Sequence, residues 1–431
     1  MSTRRRALGC GALAVIATVG VLEVGAYLLY PVAAGQPFSR QAITHRLRQV
    51  DSSAGPLPAA ATDGELPSFI RNHELHPYVG FVVDASREPG YNRFGFWGDE
   101  PLHRRSPDKL IVGVVGGSFA LGLVRDAERV LVERLREDSG PDVRQVQLVT
   151  IALSGFKQPQ QLMAVNYILA LGGEFDVVVN VDGFNEVALP FAENVPAGVD
   201  PAYPRSWKFY IRRTLSRDEI EQIASIRIER RRIERLRTFF ASRPLRYSVF
   251  ALTLWDRIDH RARQRILREN RKLIDLAAMH DREGRGLGPR TSRMNERLFD
   301  DFVETWARGS IQLARLCKAN GITYVHALQP NQYVAGSKTF TAHERRIAIY
   351  DRPFKFRDAV EKGYPLLVRR GDSLRDEGVR FVDLTMMFVN EPRAVYGDNC
   401  CHLNELGYRL VAERIAAEVT GARNGTRAGD R

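Results

Sequence analysis

A serine at the end of a predicted buried strand is the residue of this chain best suited to nucleophilic chemistry. Ser118 follows Gly116 and Gly117, directly after the apolar run 111–115. Glycine adopts backbone angles that a Cβ forbids and lets a ligand approach the main chain, so such a turn can hold the hydroxyl exposed. A Gly-Gly-Ser sequence is often only a tight turn. Three further segments, in chain order, could complete a hydrolytic site around it.

A carboxylate and an imidazole stand close together near the end of the sequence. The segment from Asp398 to His402 carries both in one short loop ahead of the last predicted helix. Nucleophilic hydrolysis of an ester needs an activated hydroxyl, a base beside it and a group that orients the base. We therefore predict that His402 accepts the proton of Ser118. Asp398 is expected to hold the tautomer of His402 and to stabilise the imidazolium.

Two further residues follow predicted strands and could donate hydrogen bonds to an oxyanion. Gly155 comes after the second strand and has an unhindered amide, and Asn185 comes after the third and has a side-chain amide. With the amide of Ser118 they would form a hole with three donors. Losing one such donor costs about 2.7–4 kcal/mol of transition-state stabilisation. The alternative is that Gly155 only ends a strand and that Asn185 only caps a helix.

Short apolar runs alternate with helix-length segments along most of the chain. We predict strands over residues 111–115, 146–152, 176–181, 323–328 and 380–384. We predict helices over residues 127–137, 158–171, 299–319 and 407–419. This alternation favours a parallel sheet covered on both faces, as in a three-layer, flavodoxin-like α/β sandwich. Ligands bind at the carboxyl ends of such strands, where Ser118, Gly155, Asn185 and Asn331 fall.

Over residues 90–420 the sequence resembles the SGNH (GDSL-like) hydrolase superfamily. The four blocks of that family correspond to Gly116-Gly117-Ser118, Gly155, Gly183-Phe184-Asn185-Glu186 and Asp398 to His402. Residues 92–98 and 328–333 resemble segments of its membrane-anchored, extracytoplasmic branch. The resemblance implies that Ser118 is the nucleophile and His402 the base, that Gly155 and Asn185 complete the oxyanion hole, and that no cofactor is needed.

The sequence departs from the family pattern at two positions. The residue before the serine is usually aspartate and is Gly117 here. The aspartate of the family stands three residues before its histidine, which is Asn399 in this chain. Asp398 lies one residue earlier, so the loop must bulge for its carboxylate to reach His402. Asp383, after the fifth strand, is the alternative orienting residue.

Other histidines and the cysteines suggest no further chemistry. His326 lies within the fourth predicted strand and is expected to be buried and hydrogen-bonded. His260, His280 and His343 have no Cys or carboxylate neighbours at metal-ligand spacing, so we expect no metal. The cysteines are too few for a disulfide scaffold, although a bridge from Cys317 to Cys400 or Cys401 stays open.

The first 35 residues are predicted to target the chain to a membrane. Arg4 to Arg6 precede an uncharged run over residues 7–22, and the apolar character resumes after Glu23. A span needs roughly 20 apolar residues, and arginines stay on the cytoplasmic side, so the rest of the chain would be extracytoplasmic. Glu23 is costly at the bilayer centre but lies beyond it. Small residues at 32–34 also resemble a cleavage site, which would make the protein secreted.

The positive charge of the chain is concentrated in one insert. The formal net charge is +12, and residues 205–297 alone carry 25 Lys and Arg against 12 Asp and Glu. We predict an anchor over 1–35, a linker and irregular layer over 36–110, a hydrolase-like domain over 111–420 that contains this insert, and a tail over 421–431. The insert is either a basic lid or arm for polyanions or a solvated helical hairpin packed on the edge of the sheet. It lacks the interleaved aromatic residues of nucleic-acid platforms.

These observations predict a membrane-anchored serine esterase. It would hydrolyse an O-acyl ester, an acetyl group above all, on a cell-envelope or exported polysaccharide. An acyltransferase on the same fold is the first alternative, because the acyl-enzyme half-reaction is the same. A non-catalytic envelope protein that binds an anionic polysaccharide is the second.

Overall fold

The structure, a computed structural model, describes residues 17–32, 35, 37–48, 72–140, 143–207, 210, 217–280, 288, 297–350 and 354–429. The chain divides into two compact units. The helical unit comprises Met1–Leu57 and Leu215–Leu276, and the sheet unit comprises Pro58–Thr214 and Ala277–Arg431. Much of the basic insert therefore groups with the N-terminal segment. The predicted linker at 51–67 lies outside the described residues.

All seven strands of the described residues belong to the sheet unit. They are β1 (His73–His76), β2 (Gly80–Val83), β3 (Lys109–Gly116), β4 (Gln145–Ala152), β5 (Val177–Asp182), β6 (Thr323–Leu328) and β7 (Arg380–Asp383). Strands β1 and β2 form an antiparallel hairpin in the region that the sequence predicts as irregular.

The helices lie in both units. They are α1 (Arg40–Arg48), α2 (Ser118–Asp138), α3 (Gln160–Ala170), α4 (Phe184–Leu189), α5 (Arg217–Ala241), α6 (Val249–His280), α7 (Leu298–Ala319), α8 (Ala342–Ile347), α9 (Lys355–Asp376) and α10 (Glu405–Gly429). Helix α10 continues through most of the predicted tail at 421–431.

Five strands form a parallel sheet, which confirms the predicted α/β class. The order is β4-β3-β5-β6-β7, so β3 lies between β4 and β5. The side chains of β5 are buried throughout. This is typical of a parallel strand covered on both faces, where apolar runs need not alternate with polar residues.

Successive residues of β3 face two different helical layers. Val112 and Val114 share a core with residues of α2 and α10. Ile111 and Val115 share the opposite core with residues of α3, α7 and α9. Because side chains alternate across a strand, the sheet lies between two layers of helices. The architecture is thus compatible with a three-layer fold.

Helices α1, α4, α8 and α9 were not predicted, and α2 begins earlier than predicted. Helix α2 begins at Ser118 rather than near Ala127, and the φ of −136° at Ala127 marks a kink within it. Helix α9 was not predicted, because its sequence carries Gly363, Pro365 and Gly371, which are usually signs of turns. In the structure these glycines give room: a Cβ at Gly371 would lie 2.2 Å from the ring of Phe381.

The helical unit is built from α1, α5, α6 and a helix over residues 17–32. Its core joins Tyr30 to the buried side chains of α1 and to those where α5 and α6 meet, among them Leu252 and Trp255. Among the described residues, no helix combines the length and the apolar character that a bilayer crossing requires. The predicted span begins at residue 7, and residues 1–16 lie outside the described part of the chain.

Candidate active site

Ser118 stands at the carboxyl end of β3, as the first residue of α2. The turn before it depends on glycine: Gly116 has a φ of 149°, and a Cβ there would lie 2.2 Å from the carbonyl oxygen of Val181 at the end of β5. The free N–H groups of the first helical turn and the positive end of the helix dipole lie at the start of α2. Negative charge that develops beside Ser118 is therefore stabilised.

The structure brings together the three predicted members of the triad. Ser118 Oγ lies 2.8 Å from His402 Nε2, although the two residues are 284 positions apart in sequence. His402 Nδ1 lies 2.5 Å from Asp398 Oδ2. In the neutral imidazole, with the remaining proton on Nδ1 facing the carboxylate, Nε2 can accept the proton of the serine hydroxyl.

The loop that carries Asp398 bulges as its spacing requires. Asp398 Oδ1 accepts hydrogen bonds of 2.9–3.1 Å from three consecutive backbone amides, those of Cys400, Cys401 and His402. The chain thus turns around one carboxylate oxygen while the other meets the imidazole. Asp383 is engaged elsewhere, since its Oδ1 accepts from the amide of Thr385 at 2.8 Å. Asp398, and not Asp383, therefore lies against the imidazole.

A second loop, which follows β6, contacts the loop that carries Asp398 and His402, called the triad loop below. Three of its side chains donate to backbone carbonyls of the triad loop: Asn331 Nδ2 to Cys400 at 3.2 Å, Gln332 Nε2 to Asp398 at 3.1 Å and Tyr333 Oη to Asn399 at 3.0 Å. The resemblance singles out residues 328–333 without giving them a role. In the structure these side chains fix the backbone of the loop that carries Asp398 and His402.

The pKa values of His402 and Asp398 are shifted in opposite directions. Burial lowers the pKa of His402, but the charge of Asp398 and its hydrogen bond outweigh burial and raise the pKa to about 9. Burial raises the pKa of Asp398, whereas His402 and the backbone amides outweigh it and lower the pKa below its usual value. The two groups therefore stabilise each other as an ion pair.

The two predicted oxyanion donors follow the strands on either side of β3, Gly155 after β4 and Asn185 after β5. Gly155 has a φ of 85°, which only glycine adopts freely. Asn185 Nδ2 donates one hydrogen bond to the carbonyl of Phe156 at 2.7 Å, and an amide nitrogen carries a second proton. A Cβ at Gly117 would lie 2.1 Å from that nitrogen. The amide of Asn185 thus occupies the space beside the serine that any other residue at 117 would fill.

Glu186 is a buried carboxyl group that links the turn of Asn185 to the loop after Gly155. One of its oxygens accepts from the amide of Gly183 at 2.8 Å, and the other accepts from the amide of Gln158 and the side chain of Gln161. Burial and the neighbouring Asp182 raise its pKa well above the usual range. The sequence resemblance includes Glu186 but does not show that it links the turn of Asn185 to the loop after Gly155.

Arg205 is a second residue that sequence reasoning missed. Its side chain lies across Gly155, where an added Cβ would be 2.8 Å from Arg205 Cδ. Both carboxylate oxygens of Glu193 accept from its guanidinium, at 2.7 and 2.9 Å, in a bidentate pair. A cation held by an ion pair therefore borders Gly155, one of the predicted oxyanion donors. Its contact joins the start of the insert to a strand end 50 positions away, which no local pattern reveals.

His326 is buried and hydrogen-bonded, as the sequence predicts. Its Nε2 lies 2.8 Å from Asp182 Oδ1, and its Nδ1 lies 2.7 Å from Ser310 Oγ. Trp306 Nε1 donates to the same carboxylate oxygen at 2.7 Å. These contacts bind α7 to the ends of β5 and β6 and lie apart from the triad.

The three cysteines in the described part of the chain are free thiols, so the bridge that the sequence left open is not formed. The sulfurs of Cys400 and Cys401 and a ring nitrogen of His402 lie within 4.8 Å of one another and could hold a soft metal ion. Both nitrogens of His402 already bond to Ser118 and Asp398. A metal bound there would remove the base, and the absence of a metal requirement stays a prediction.

No family model and no curated protein matches the chain.

Proposed function

We propose that this protein is a serine esterase of the SGNH type that hydrolyses an O-acyl ester through an acyl-enzyme on Ser118. The observation that carries the proposal is the continuous hydrogen-bonded series Ser118, His402 and Asp398 at the carboxyl edge of a parallel sheet. Serine, imidazole and carboxylate in this order form the constellation of nucleophilic acyl transfer. The strand order and the two helical layers support the flavodoxin-like sandwich that the resemblance implies.

The first half-reaction forms the acyl-enzyme. Ser118 Oγ attacks the acyl carbonyl while its proton passes to His402 Nε2, and the carbonyl oxygen becomes an oxyanion that accepts from the amides of Ser118 and Gly155 and the side chain of Asn185. His402 then gives the proton to the departing alcohol as the bond from carbon to the leaving oxygen breaks. Asp398 stabilises the imidazolium in between.

The second half-reaction returns the free enzyme. Water gives a proton to His402 and attacks the acyl-enzyme carbonyl, and the carboxylic acid leaves as Ser118 regains its proton. The arrangement requires no cofactor. With a sugar hydroxyl in place of water, the same steps would transfer the acyl group.

A short acyl group on an exported polysaccharide is the proposed substrate. The side chain of Arg205 across Gly155 narrows the space beside the oxyanion donors, which favours acetyl over longer chains. The predicted N-terminal anchor would hold the domain on the extracytoplasmic side of a membrane, where envelope polysaccharides are found. An ester of a carbohydrate hydroxyl fits both features.

Labelling with a fluorophosphonate tests the proposal, since this reagent modifies only activated serines. We expect labelling of the full chain at Ser118, located by mass spectrometry, and its loss in His402→Ala. Ser154→Ala is the matched control, because Ser154 lies in the same edge of the sheet and outside the triad. No labelling of the folded protein would overturn the proposal and favour the polysaccharide-binding alternative. Turnover that rises with added sugar while hydrolysis falls would identify a transferase.

A further inference from the structure

The one carboxylate of the N-terminal apolar segment binds the start of helix α6. Glu23 Oε2 accepts from the amide of Val249 at 2.6 Å, and its other oxygen accepts from the hydroxyl of Ser248. A carboxylate at a helix N-terminus satisfies a free N–H group and interacts favourably with the helix dipole. The residue that is costly for a bilayer span on its own is thus paired within the helical unit.

The helix over 17–32 runs alongside α6 in the same direction. Besides the contact of Glu23 with Val249, Tyr30 donates to Asp256 Oδ2 at 3.1 Å. Glu23 to Tyr30 and Val249 to Asp256 are equal steps of two helical turns. The turn between α5 and α6 therefore lies level with Glu23, and residues 17–22 of the N-terminal helix extend beyond it.

The predicted span allows the depth of this turn in a bilayer to be estimated. If the apolar run begins at residue 7, a hydrocarbon core of about 30 Å is crossed after roughly 20 residues, near Tyr27. Glu23 stands four residues earlier, which is about 6 Å inside that boundary at the helical rise. The turn between α5 and α6 would then reach the outer boundary of the bilayer.

The side chains at this level are suited to such a position. We call turn surface the exposed apolar residues of this turn, namely Phe239, Tyr247, Phe250 and Leu254. Tyr247 is 53% exposed and Phe239 is 59% exposed. Phe250 and Leu254 are four residues apart and share a face of α6. Large exposed aromatic groups are unusual on a soluble protein and enriched at membrane interfaces.

Basic residues accompany the turn surface. The Arg246 guanidinium lies over the ring of Tyr247, 4.7 Å from its centroid, and Arg243 is exposed beside Pro244. Arginine can lay its apolar stem along a hydrophobic surface and hold its charge at the phosphates. The neighbouring helix carries exposed apolar residues at the same level, among them Val21, Val24 and Leu28.

We propose that the turn surface is a second membrane contact, inserted beside the N-terminal helix at the boundary between the head groups and the acyl chains of the outer leaflet. Its partner is a phospholipid bilayer, bound by aromatic and leucine side chains at the acyl boundary and by two arginines at the phosphates. Interfacial elements of this kind insert by about 5–10 Å, which agrees with the depth set by Glu23. The inference rests on the predicted membrane span.

Tryptophan fluorescence of the full chain in lipid nanodiscs tests this contact. Phe250→Trp adds a reporter to the turn surface. Ile228→Trp adds one at an exposed position of α5, eleven residues before Phe239 and so about 16 Å away along the helix. Discs are prepared from phosphatidylcholine with or without bromine on the upper acyl chain, a contact quencher. The emission of the wild-type chain is subtracted in each case.

We expect bromination to reduce the added emission of Phe250→Trp by about half or more, as for a side chain at the acyl boundary, and to leave that of Ile228→Trp unchanged. Tyr247→Trp serves as the second reporter if Phe250→Trp does not fold. An unquenched reporter open to acrylamide faces water, and one shielded from both quenchers is covered by protein. Either result overturns the turn surface as a lipid contact.

Retention in the disc separates this inference from the span on which it rests. A wild-type chain that stays with the disc after alkaline washing, with an unquenched reporter, leaves the span intact and overturns only the turn surface. A chain that is not retained overturns the span and the turn surface together. Neither outcome bears on labelling of Ser118, which tests the proposed chemistry.

Discussion

At the scale of single residues, the proton on His402 sets the pH range of the proposed reaction. The general base must be unprotonated, and the pKa of His402 is raised to about 9 because Asp398 outweighs the effect of burial. The free enzyme therefore carries the imidazolium at neutral pH. We expect kcat/KM for a small acetyl ester to rise with pH until about 9. A profile that is already flat at pH 7 would contradict the ion pair.

Replacement of Asp398 by asparagine tests the same pair from its other side. In Asp398→Asn the attraction is lost while burial stays, so the pKa of His402 should fall below its ordinary value of 6.5. The rise of kcat/KM should move to lower pH, while kcat drops by about 10⁴-fold because the tautomer is no longer held. Asp383→Asn is the matched control and should leave both unchanged. A pH profile that does not move would contradict the role of Asp398.

Gly117 and Asn185 form a pair whose separation leaves no room for a side chain. In Gly117→Ala the new methyl group must displace the amide of Asn185, since the two would be 2.1 Å apart. We expect kcat to fall by about 10²–10³-fold, the loss typical of one oxyanion donor. Gly113→Ala is the control on the same strand, β3. Its methyl group would crowd the ring of Phe175 at 3.1 Å, away from Asn185, and should leave kcat unchanged. Full activity of Gly117→Ala would contradict the donor role of Asn185.

The site residues could be predicted from the sequence where each follows a strand or shares a short loop. Ser118, Asn185 and His402 belong to such patterns, and the structure brings Ser118 and His402 together. Glu186 and Arg205 could not be given roles in this way. Their effect depends on contacts between loops that are distant in sequence, and a buried glutamate and a surface one look alike in a sequence.

At the scale of elements, a buried ion pair holds the segment that leads to the triad loop. Glu344, in α8, accepts from the amides of Val395 and Tyr396 at 2.9 and 3.3 Å. Lys338 Nζ lies 3.7 Å from Glu344, and both side chains are fully buried. Charges buried in this way depend on their partners, because an unpaired charge in the interior is strongly destabilising.

Removal of that carboxylate should therefore destabilise the sheet unit. We expect Glu344→Ala to lower the free energy of unfolding by about 3–5 kcal/mol, the cost of leaving a buried charge unpaired. Glu361→Ala breaks the exposed pair with Arg357 and should cost less than about 1 kcal/mol. Denaturant unfolding measures both. Equal stability of the two variants would mean that the buried pair is not needed.

The strands of the sheet were more predictable than the helices around it. Apolar runs predict all five parallel strands, because strands of a sheet covered on both faces are rich in apolar residues, and polar residues such as Asn180 and His326 are few. Helix α9 went unpredicted since its glycines serve close packing against Val187 and Phe381 rather than turns. Local propensity cannot separate these two uses of glycine.

At the scale of the whole molecule, charge is divided unevenly along the chain. The basic surplus lies within residues 205–297, and Arg231 and Arg235 are exposed on α5. A local excess of one sign attracts polymers of the opposite sign. We expect Arg231→Glu with Arg235→Glu to weaken binding to a polyuronate by roughly tenfold at low salt, measured by affinity electrophoresis. Hydrolysis of a small acetyl ester should be unaffected.

Arg315→Glu, on an exposed position of α7, is the control for this charge reversal and should bind as the wild type does. Ser118→Ala should also bind normally, because the attraction does not involve the triad. If all variants bind alike, the positive charge of the insert serves another purpose than polymer attraction.

The carboxylate of Asp398 accepts hydrogen bonds from backbone amides of its own loop. Side chains of the loop after β6 donate to backbone carbonyls of the same segment. None of these bonds uses the side chains at 399, 400 or 401. The side chains at 399 and 400, and even the number of residues between Asp398 and His402, can therefore vary as long as the amides still converge. A sequence search that requires a fixed interval between the carboxylate and the histidine would miss chains like this one. A structural search for a carboxylate that accepts hydrogen bonds from successive backbone amides would find them.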